Sequence, residues 1–410
     1  MYDAIIVGAR CAGSPTAMLL ARKGYRVLLL DRATFPSDTM STHIIWPHGA
    51  EILDRWGLLT RLASTGCPPI ALNMRFDVGP FALEGGVPEA NGGRGGFCPR
   101  RTVLDKILVD AAVESGVEFR DGLPVEDLIR AGDRVVGIKG RTARGTIVQE
   151  RATILIGADG AHSFVAAAVG APDYDAIPPI ATFYYSYYSG FAASDIEQYV
   201  RVHHGIGCFP THGGLTLIAS VWPSARFKEV RADIEGSVEK ACRSAPSVID
   251  RLQGATREEK WIGTAGVANY FRRPYGPGWA LVGDAGYDKD PLTAQGISDA
   301  FIDAENVTQA IDGGLSGRRP LEEAMAGYQS RRDARVKPMY DFTCQLARLE
   351  PPPAPMQALF AALHGNREAT GQFYAALTGA RPLGEFMNPD NINRLVSSDA
   401  SPRTIEAPRR

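Results

Sequence analysis

The first 31 residues place a glycine-rich turn between two apolar strands, and this pattern constrains the fold more than any other feature of the chain. Residues 4–7 form a short continuous apolar run, as expected for a parallel strand that is buried on both faces. The run leads into a turn at Gly8–Gly13, and a second apolar run over 25–30 ends at Asp31. This order predicts a β-α-β unit whose helix N-terminus suits phosphate groups and whose Asp31 suits the hydroxyls of a ribose.

The turn departs from the usual dinucleotide fingerprint at Arg10, which stands where a glycine normally lets the backbone approach a pyrophosphate. An arginine here can turn outward or offer its charge to phosphates. An ordinary turn that binds no nucleotide is the alternative, because short motifs often match by chance. After the turn, we expect Ser14 to N-cap the helix, Pro15 to occupy its first position and Gly24 to end it.

Composition excludes several classes of protein. With 44 Lys and Arg against 46 Asp and Glu, the net charge of −2 leaves no electrostatic footprint for a nucleic acid. The six cysteines have no CxxC pairing, and His203, His204 and His212 lack acidic partners at metal-binding spacing, so we predict neither disulfides nor a metal site. No apolar stretch approaches the roughly 20 residues of a membrane span, and the first strand leaves no room for a signal peptide. We therefore expect a cytoplasmic protein.

Two later strand-to-turn segments repeat the small and acidic character of the first turn. An apolar run over 152–157 ends at Ala158-Asp159-Gly160, and a run that starts at Trp279 ends at Gly283-Asp284. Between the first two turns, Arg101 opens a predicted helix. Three such turns in one chain favour a single nucleotide site at the edge of a parallel sheet.

Taken together, these segments resemble FAD-dependent monooxygenases of the aromatic-hydroxylase type (group A) and the related geranylgeranyl-reductase-like flavoproteins. The resemblance spans roughly residues 1–310 and rests on four motifs that are specific only jointly. They are a GxGxxG-like start, an RxxLDxxL segment, a GADGxxS segment and a GDAxxxxDPxxxxG segment. The resemblance implies FAD as the cofactor and NADH or NADPH as a transient electron donor.

The resemblance also implies roles for individual residues. Asp31 would hold the adenosine ribose, Arg101 would lie near the diphosphate or the ribityl chain, and Asp284 would hold a ribityl hydroxyl. Asp159 would have a supporting role, and Pro291 would break the chain beside the flavin ring. Free amides after that break suit the negative charge of a reduced flavin. The full set expected to bind the cofactor is Gly8, Ala12, Gly13, Asp31, Arg32, Arg101, Asp159, Gly283, Asp284, Pro291, Gly296 and Ile297.

Aromatic and β-branched residues over 176–265 predict an antiparallel sheet inserted into the nucleotide-binding fold. Side chains alternate along a strand, so its tyrosines divide between two faces. Tyr184 and Tyr188 share one face, and Phe183, Tyr185 and Tyr187 share the other. One of these tyrosine sets lines an aromatic substrate pocket, or else the whole cluster is ordinary sheet packing. His43 and His48 lie near the segment expected to face the flavin, and they either help to bind the donor or are ordinary hydrogen-bonded histidines.

The implied fold class is α/β plus β: a Rossmann-like FAD-binding domain with a βαβ unit and a parallel sheet, interleaved with an antiparallel-sheet substrate domain, and a helical C-terminal region. The FAD-binding domain would comprise residues 1–70, 98–175 and 266–345, the substrate domain 71–97 and 176–265, and the C-terminal region 346–410. We expect roughly the last ten residues to be frayed.

The implied activity is monooxygenation. NADH or NADPH would reduce FAD, O2 would form a C4a-hydroperoxyflavin, and oxygen would pass to a hydrophobic or aromatic small molecule by hydroxylation or epoxidation. A reductase or dehydrogenase of C=C bonds is the alternative, because the first motif over residues 7–14 and the DKDPLTAQGIS segment over residues 288–298 resemble that branch. Tyr287 and Ser298 also stand where many aromatic hydroxylases have histidine and asparagine. A halogenase is less favoured, since no lysine occurs between Lys23 and Lys106 to relay a halogen. A flavoprotein that binds FAD without turnover is the third hypothesis.

Overall fold

The computed structural model describes residues 1–87 and 94–399, so the expected fraying of the last ten residues lies outside the described part. Its strands are β1 (Tyr2–Val7), β2 (Val27–Leu30), β3 (Pro69–Ile70), β4 (Met74–Asp77), β5 (Ala82–Gly85), β6 (Gly96–Phe97), β7 (Glu118–Arg120), β8 (Val125–Ala131), β9 (Arg134–Arg141), β10 (Ile147–Gly157), β11 (Asp173–Ile177), β12 (Ala181–Ser189), β13 (Glu197–Arg201), β14 (His204–Pro210), β15 (Thr216–Pro223), β16 (Thr256–Arg257), β17 (Ile262–Thr264), β18 (Asn269–Arg272), β19 (Tyr275–Gly276), β20 (Trp279–Leu281) and β21 (Tyr287–Asp288).

The helices are α1 (Gly13–Arg22), α2 (Pro47–Arg55), α3 (Leu59–Ala63), α4 (Arg101–Glu114), α5 (Phe164–Val169), α6 (Phe227–Ala232), α7 (Ile234–Cys242), α8 (Pro246–Gln253), α9 (Gly296–Leu315), α10 (Leu321–Leu346), α11 (Ala354–Leu363), α12 (Arg367–Leu377), α13 (Leu383–Phe386) and α14 (Pro389–Asp399). Among the described residues, no helix is both long and apolar enough to cross a lipid bilayer.

The first sheet has the strand order β19-β20-β10-β1-β2-β7, and every neighbouring pair from β20 to β7 is parallel. Ile6 and Leu29 pack into the core that also contains side chains of α1, α4 and α9, whereas Ile5 and Leu28 pack into the core on the other face. The apolar run of β1 is therefore buried on both sides, as its composition predicts. The predicted Rossmann-like βαβ unit and parallel sheet are confirmed.

The start of α1 differs from the prediction. The helix begins at Gly13 with Ala12 at the N-cap, which has no side chain able to cap it, and Pro15 is the third helical residue. The hydroxyl of Ser14 instead donates a hydrogen bond of 2.8 Å to the carbonyl oxygen of Ala9. Ser14 is therefore the second residue of the helix and does not cap it. Gly24, at φ +90°, follows the end of the helix as predicted.

The second sheet has the order β16-β12-β15-β14-β13-β4-β5, with β17 also paired to β12. Most of its pairs are antiparallel, as predicted, but β13 and β4 are parallel. One face packs against α11, α12 and α13, and the other packs against α6, α7 and α8. The C-terminal helices therefore cover the second sheet directly.

Candidate functional site

Four predicted site segments meet at one edge of the first sheet. Because β1, β2, β10 and β20 are parallel neighbours, the turns that follow them leave from the same edge. The N–H of Ala9 donates to the Asp31 carboxylate at 2.7 Å, and the N–H of Ala158 donates to the carbonyl of Val7 at 2.8 Å. The structure thus brings Gly8, Asp31, Asp159 and Gly283 into one neighbourhood, although they are far apart in the chain.

Close backbone approach explains the glycines of these turns. A Cβ added to Gly8, at φ +102°, would lie 2.3 Å from the carbonyl oxygen of Ala158. A Cβ at Gly13 would lie 1.7 Å from the carbonyl oxygen of Gly8, and one at Gly283 would lie 2.7 Å from the Cβ of Ala12. Small residues are therefore needed to pack the three turns together, whatever binds beside them.

Arg10 and Arg101 share a single buried carboxylate. Arg101 binds Asp105 through two hydrogen bonds of 3.0 Å, and Arg10 binds the same carboxylate at 2.6 Å. Burial alone would lower the pKa of Arg101, but the charge of Asp105 raises it above its usual value, so the guanidinium stays charged. The trio carries one surplus positive charge close to the N-terminus of α1. That charge suits an anion such as a diphosphate.

Arg10 therefore does not obstruct the turn. Its side chain extends away from the turn to bind Asp105, and it also donates to the backbone carbonyl of Ser37 at 3.3 Å. Asp105 belongs to the RxxLDxxL motif, yet it was missing from the predicted site because sequence spacing alone does not reveal that two arginines converge on it.

Asp284 has a carboxylate that is open to a ligand. Its side chain is exposed, and no hydrogen bond to its carboxylate occurs within residues 1–87 and 94–399. Even so, the surrounding protein raises its pKa by desolvation, while Arg101 and Lys289 act in the opposite direction. An exposed carboxylate that is still partly desolvated lies in a cleft rather than on the outer surface. It can accept a hydrogen bond from a hydroxyl group there.

Asp159 and Asp31 already have protein partners. The Asp159 carboxylate accepts from the hydroxyl of Ser163 at 2.5 Å and from the N–H of Val165 at 3.1 Å, so it supports the N-terminus of α5, where Ser163 is the N-cap. Asp31 accepts from the N–H groups of Ala9 and Ala33, at 2.7 and 2.8 Å. Arg32, next to Asp31, is exposed. Asp159 thus holds its turn in place.

The start of α9 is open in the way the motif predicts. A short 3-10 turn over Pro291–Thr293 precedes the helix, and Ala294 adopts φ +52° before α9 begins at Gly296. Gly296 is exposed, and a Cβ added to it would meet no protein atom within 4 Å. The side chain of Ile297 packs into the core, so only its backbone is available to a ligand. Free space therefore adjoins an uncapped helix N-terminus.

Residues 1–343 match the model of a family described as FAD binding domain. The chain belongs to this family. FAD is thus its cofactor, and the protein is an FAD-dependent oxidoreductase. The donor groups fit this cofactor, since the surplus charge beside α1 suits its diphosphate, Asp284 suits a hydroxyl of its ribityl chain, and the space at Gly296 leaves room for its ring.

Three curated relatives catalyse different reactions. The chain is 25% identical over 330 residues to a 1H-pyrrole-2-carbonyl-[peptidyl-carrier protein] brominase of Pseudoalteromonas luteoviolacea, covering 76% of this chain and 78% of the relative. It is 28% identical over 347 residues to a digeranylgeranylglycerophospholipid reductase of Methanosarcina mazei, covering 78% and 79%. It is 25% identical over 349 residues to a 6-methylpretetramide 4-monooxygenase of Streptomyces rimosus, covering 80% of both.

A solved flavoprotein/dehydrogenase of Cytophaga hutchinsonii superposes with a TM-score of 0.81, at 18% identity, over 97% of this chain and 98% of that one. This likeness confirms the predicted fold class.

The flavoprotein's aromatic strand, β12, divides its tyrosines between two buried clusters. Tyr185 and Tyr187 share a buried cluster with Trp46 and Ala294, which flank the start of α9. By contrast, Tyr184 and Tyr188 pack against α6, α7 and α8 because side chains alternate along the strand. The two tyrosine sets therefore lie on opposite faces of the second sheet.

A buried ion network lies beneath the GDAxxxxDPxxxxG segment. Lys289 donates to Asp299 at 2.7 Å and to the hydroxyl of Tyr287 at 2.5 Å, and Arg335 bridges Asp299 and Asp303 at 2.5 and 2.8 Å. Burial opposes ionisation of Asp299, but Lys289 and Arg335 lower its pKa to about 2. Sequence reasoning missed this network. The four-residue spacing of the two aspartates on α9 was its one visible sign.

Proposed function

We propose that this flavoprotein is a monooxygenase that uses NADH or NADPH and O2 to oxygenate a hydrophobic or aromatic small molecule. One oxygen atom enters the substrate, the other leaves as water, and the nicotinamide supplies two electrons. The bound FAD supplies the electron transfer and the reaction with O2. The protein residues bind the cofactor, orient the substrate and exclude water.

The observation that carries this proposal is a buried aromatic cluster near the start of α9. Tyr185 and Tyr187 belong to the same buried cluster as Trp46 and Ala294, and Trp46 donates hydrogen bonds to Ser298 and to the carbonyl of Thr293 at the start of that helix. Burial raises the pKa of Tyr185 to about 12, which keeps its phenol neutral and protonated. Such a cluster suits the binding of an apolar or aromatic substrate.

In this proposal each part of the sheet edge has one task. Gly8, Ala12 and Gly13 bring the N-terminus of α1 to the diphosphate, and the charge that Arg10 and Arg101 share over Asp105 balances it. The residues expected at the remaining parts of FAD are Asp31 and Arg32 at the adenosine ribose, Asp284 at the ribityl chain, and Pro291, Gly296 and the backbone of Ile297 at the ring. Asp159 and Gly283 shape the turns between them. We further propose that residues 71–97 and 176–265 form the substrate-binding unit.

A C=C reductase is the second candidate. The reductase of Methanosarcina mazei is the relative of highest identity among the three described above, and Tyr287 stands where aromatic hydroxylases have histidine. The hydroxyl of Tyr287 accepts a hydrogen bond from Lys289 of the ion network. We therefore assign Tyr287 no role at the substrate. Halogenation is less favoured despite the brominase relative, since residues 24–105 contain no lysine.

One experiment separates these activities. The FAD-loaded protein is supplied with NADH or NADPH and a panel of phenols, indoles, pyrroles and isoprenoid alkenes, with and without O2 and bromide. Substrate-dependent O2 uptake that yields an oxygenated product supports the proposal. Saturation of an alkene without O2 would establish the reductase, and a product that contains bromine would establish the halogenase. A flavin that neither nicotinamide reduces would indicate binding without turnover.

A further inference from the structure

The C-terminal region reaches the start of α9 through a buried hydrogen bond. The side-chain amide of Gln295 donates from Nε2 to the backbone carbonyl of Leu377 at 3.0 Å, and both residues are buried. Gln295 is the N-cap residue of α9, and Leu377 is the last residue of α12. Leu377 lies beyond residues 1–343, which match the FAD-binding family. A part of the chain outside that match is therefore bonded to the residue next to Gly296.

Each partner of this bond depends on the other. The last carbonyl groups of a helix have no partner inside the helix, so the carbonyl of Leu377 needs a donor from elsewhere. A carbonyl oxygen only accepts, so Gln295 must present the NH2 group of its amide. Separation would leave a buried donor and a buried acceptor unpaired, which costs more than the bond itself contributes. The bond therefore holds the side chain of Gln295 against the end of α12.

Gly379, just after α12, leaves room for this contact. Its backbone is left-handed, at φ +81°. A Cβ added to it would lie 3.3 Å from Oε1 of Gln295 and 3.2 Å from Cε1 of His48, on the first turn of α2. Both distances are shorter than ordinary van der Waals contact, so a side chain at this position would push against Gln295. The end of α12 thus packs closely against both α2 and the start of α9.

The turn before α9 is fixed from other directions as well. Trp46 donates its Nε1–H to the carbonyl of Thr293 at 3.1 Å, and the hydroxyl oxygens of Thr293 and Thr343 are 2.7 Å apart. Thr293 and Gln295 are buried, whereas the next residue, Gly296, is exposed. The protein therefore holds this turn up to the residue that adjoins the free space. A shift of Gln295 would move Gly296 with it, because the two residues are consecutive.

Helix α12 is also bonded to the second sheet. One helical turn before Leu377, the hydroxyl of Tyr374 donates to the carbonyl of Leu83 on β5 at 2.8 Å, and this bond is buried too. The same helix thus holds the second sheet and the start of α9 in a fixed arrangement.

We propose that α12 positions the N-terminus of α9 for the flavin ring, and that Gln295 is the positioning residue through which it acts. Gln295 holds Gly296 and the backbone N–H groups that follow it, and those groups meet the cofactor. This role rests on the proposed placement of the flavin ring at Gly296, and it is the same whether the flavin activates O2 or reduces a C=C bond. Because a helix N-terminus favours negative charge, its correct placement stabilises the anionic reduced flavin more than the oxidised flavin.

The first test replaces Gln295 by methionine, which has a similar volume but no donor. We expect FAD affinity to fall by about two- to tenfold, the range of one neutral hydrogen bond. The midpoint potential of the bound FAD, measured against a redox dye of known potential, should become more negative. Gln357→Met is the control, because it removes an exposed amide bond of 2.8 Å to the carbonyl of Pro352 and should change neither quantity. A wild-type potential in Gln295→Met would overturn the proposal.

The second test disturbs the same contact from the side of α12. Gly379→Ala places a methyl group against Gln295 and should also make the potential more negative. Gly317→Ala is its control, since Gly317 also has a left-handed backbone, at φ +73°, but an added Cβ would meet nothing within 4 Å. Both variants carry the backbone strain. Equal potentials and equal FAD affinities in the two would therefore contradict the proposal, even if Gln295→Met failed to fold.

Gly296→Ala shows whether the flavin ring lies where this role requires it. The added Cβ enters the expected ring space without touching α12. Unchanged FAD affinity of Gly296→Ala would mean that the ring lies elsewhere, and the proposed site would fail together with the role of α12. If Gly296→Ala weakens FAD binding while Gln295→Met and Gly379→Ala behave like their controls, the role of α12 alone is refuted.

Discussion

Replacing Asp105 by asparagine tests the charge arrangement beside the diphosphate-binding turn. Asp105 is completely buried and accepts two hydrogen bonds from Arg101 and one from Arg10. Asparagine has nearly the same shape, but it removes the negative charge and presents N–H groups to guanidinium donors. Two cationic side chains, of which Arg101 is buried, would then lack their shared counterion.

The expected cost follows from the burial of the pair. Removing one partner of a buried ion pair typically lowers the free energy of unfolding by about 3–5 kcal/mol. Arg10 keeps its bond to the carbonyl of Ser37 and is 23% exposed, so most of the cost comes from Arg101. We therefore expect a loss of about 3 kcal/mol in FAD-free protein. The loss should be smaller with FAD bound, because the diphosphate supplies negative charge at the same place.

The matched control is Asp110→Asn on the same helix. Asp110 is 34% exposed and pairs with Lys106 at 2.6 Å, a surface ion pair that is worth less than about 1 kcal/mol. Both variants are compared with wild type by urea denaturation followed through tryptophan fluorescence, with and without saturating FAD. Equal losses in the two variants would refute the assignment of Asp105 as the shared counterion. So would a larger loss of Asp105→Asn in the FAD-loaded form than in the FAD-free form.

Three further predictions concern the cofactor cleft and its surroundings. Asp284→Ala should be purified without FAD, whereas Asp341→Ala, which changes an exposed carboxylate on α10, should keep its full flavin content; equal contents would refute the role of Asp284. Gly296→Ala should melt at the wild-type temperature without FAD but bind FAD more weakly, because the added Cβ meets no protein atom yet enters the cofactor space; unchanged FAD affinity would contradict this. Burial lowers the pKa of His48 to about 4. As the pH falls from about 6.5 to 4, His48 therefore binds a proton in the unfolded chain but not in the folded protein. Over this pH range the wild type should lose about 2–3 kcal/mol of unfolding free energy from this group, and His48→Gln should lose less. The same pH dependence of the unfolding free energy in both proteins would exclude this role of His48.

The sheet edge was predictable from sequence because its signals are local. Each signal depends only on residues that are close in the sequence. These signals are the apolar run at residues 4–7, the glycine turn after it and the acidic residue Asp31. Parallel pairing then brings the ends of such strands together. The same logic located Asp159 and Asp284, which follow buried strands in the same manner. Local patterns therefore sufficed to place these turns at one edge of the first sheet.

What sequence could not supply were the partners that tertiary packing brings together. The prediction that Ser14 caps α1 was wrong, because the approach of Gly13 to Gly8 starts the helix before Ser14. Alternation divided the tyrosines of β12 correctly into two sets, but which set packs against α6, α7 and α8 depends on tertiary structure. Likewise, no spacing rule links Arg10 to Asp105, since 95 residues separate them in the chain.

Incorporation of oxygen from ¹⁸O2 tests the proposed monooxygenation most directly. The FAD-loaded protein is supplied with NADH or NADPH and the substrate from the aromatic and alkene panel that most accelerates nicotinamide oxidation, and the product is analysed by mass spectrometry. The proposal predicts one ¹⁸O atom in the organic product and consumption of one nicotinamide for each product formed. A product without ¹⁸O, whether a saturated alkene or a brominated ring, would contradict it.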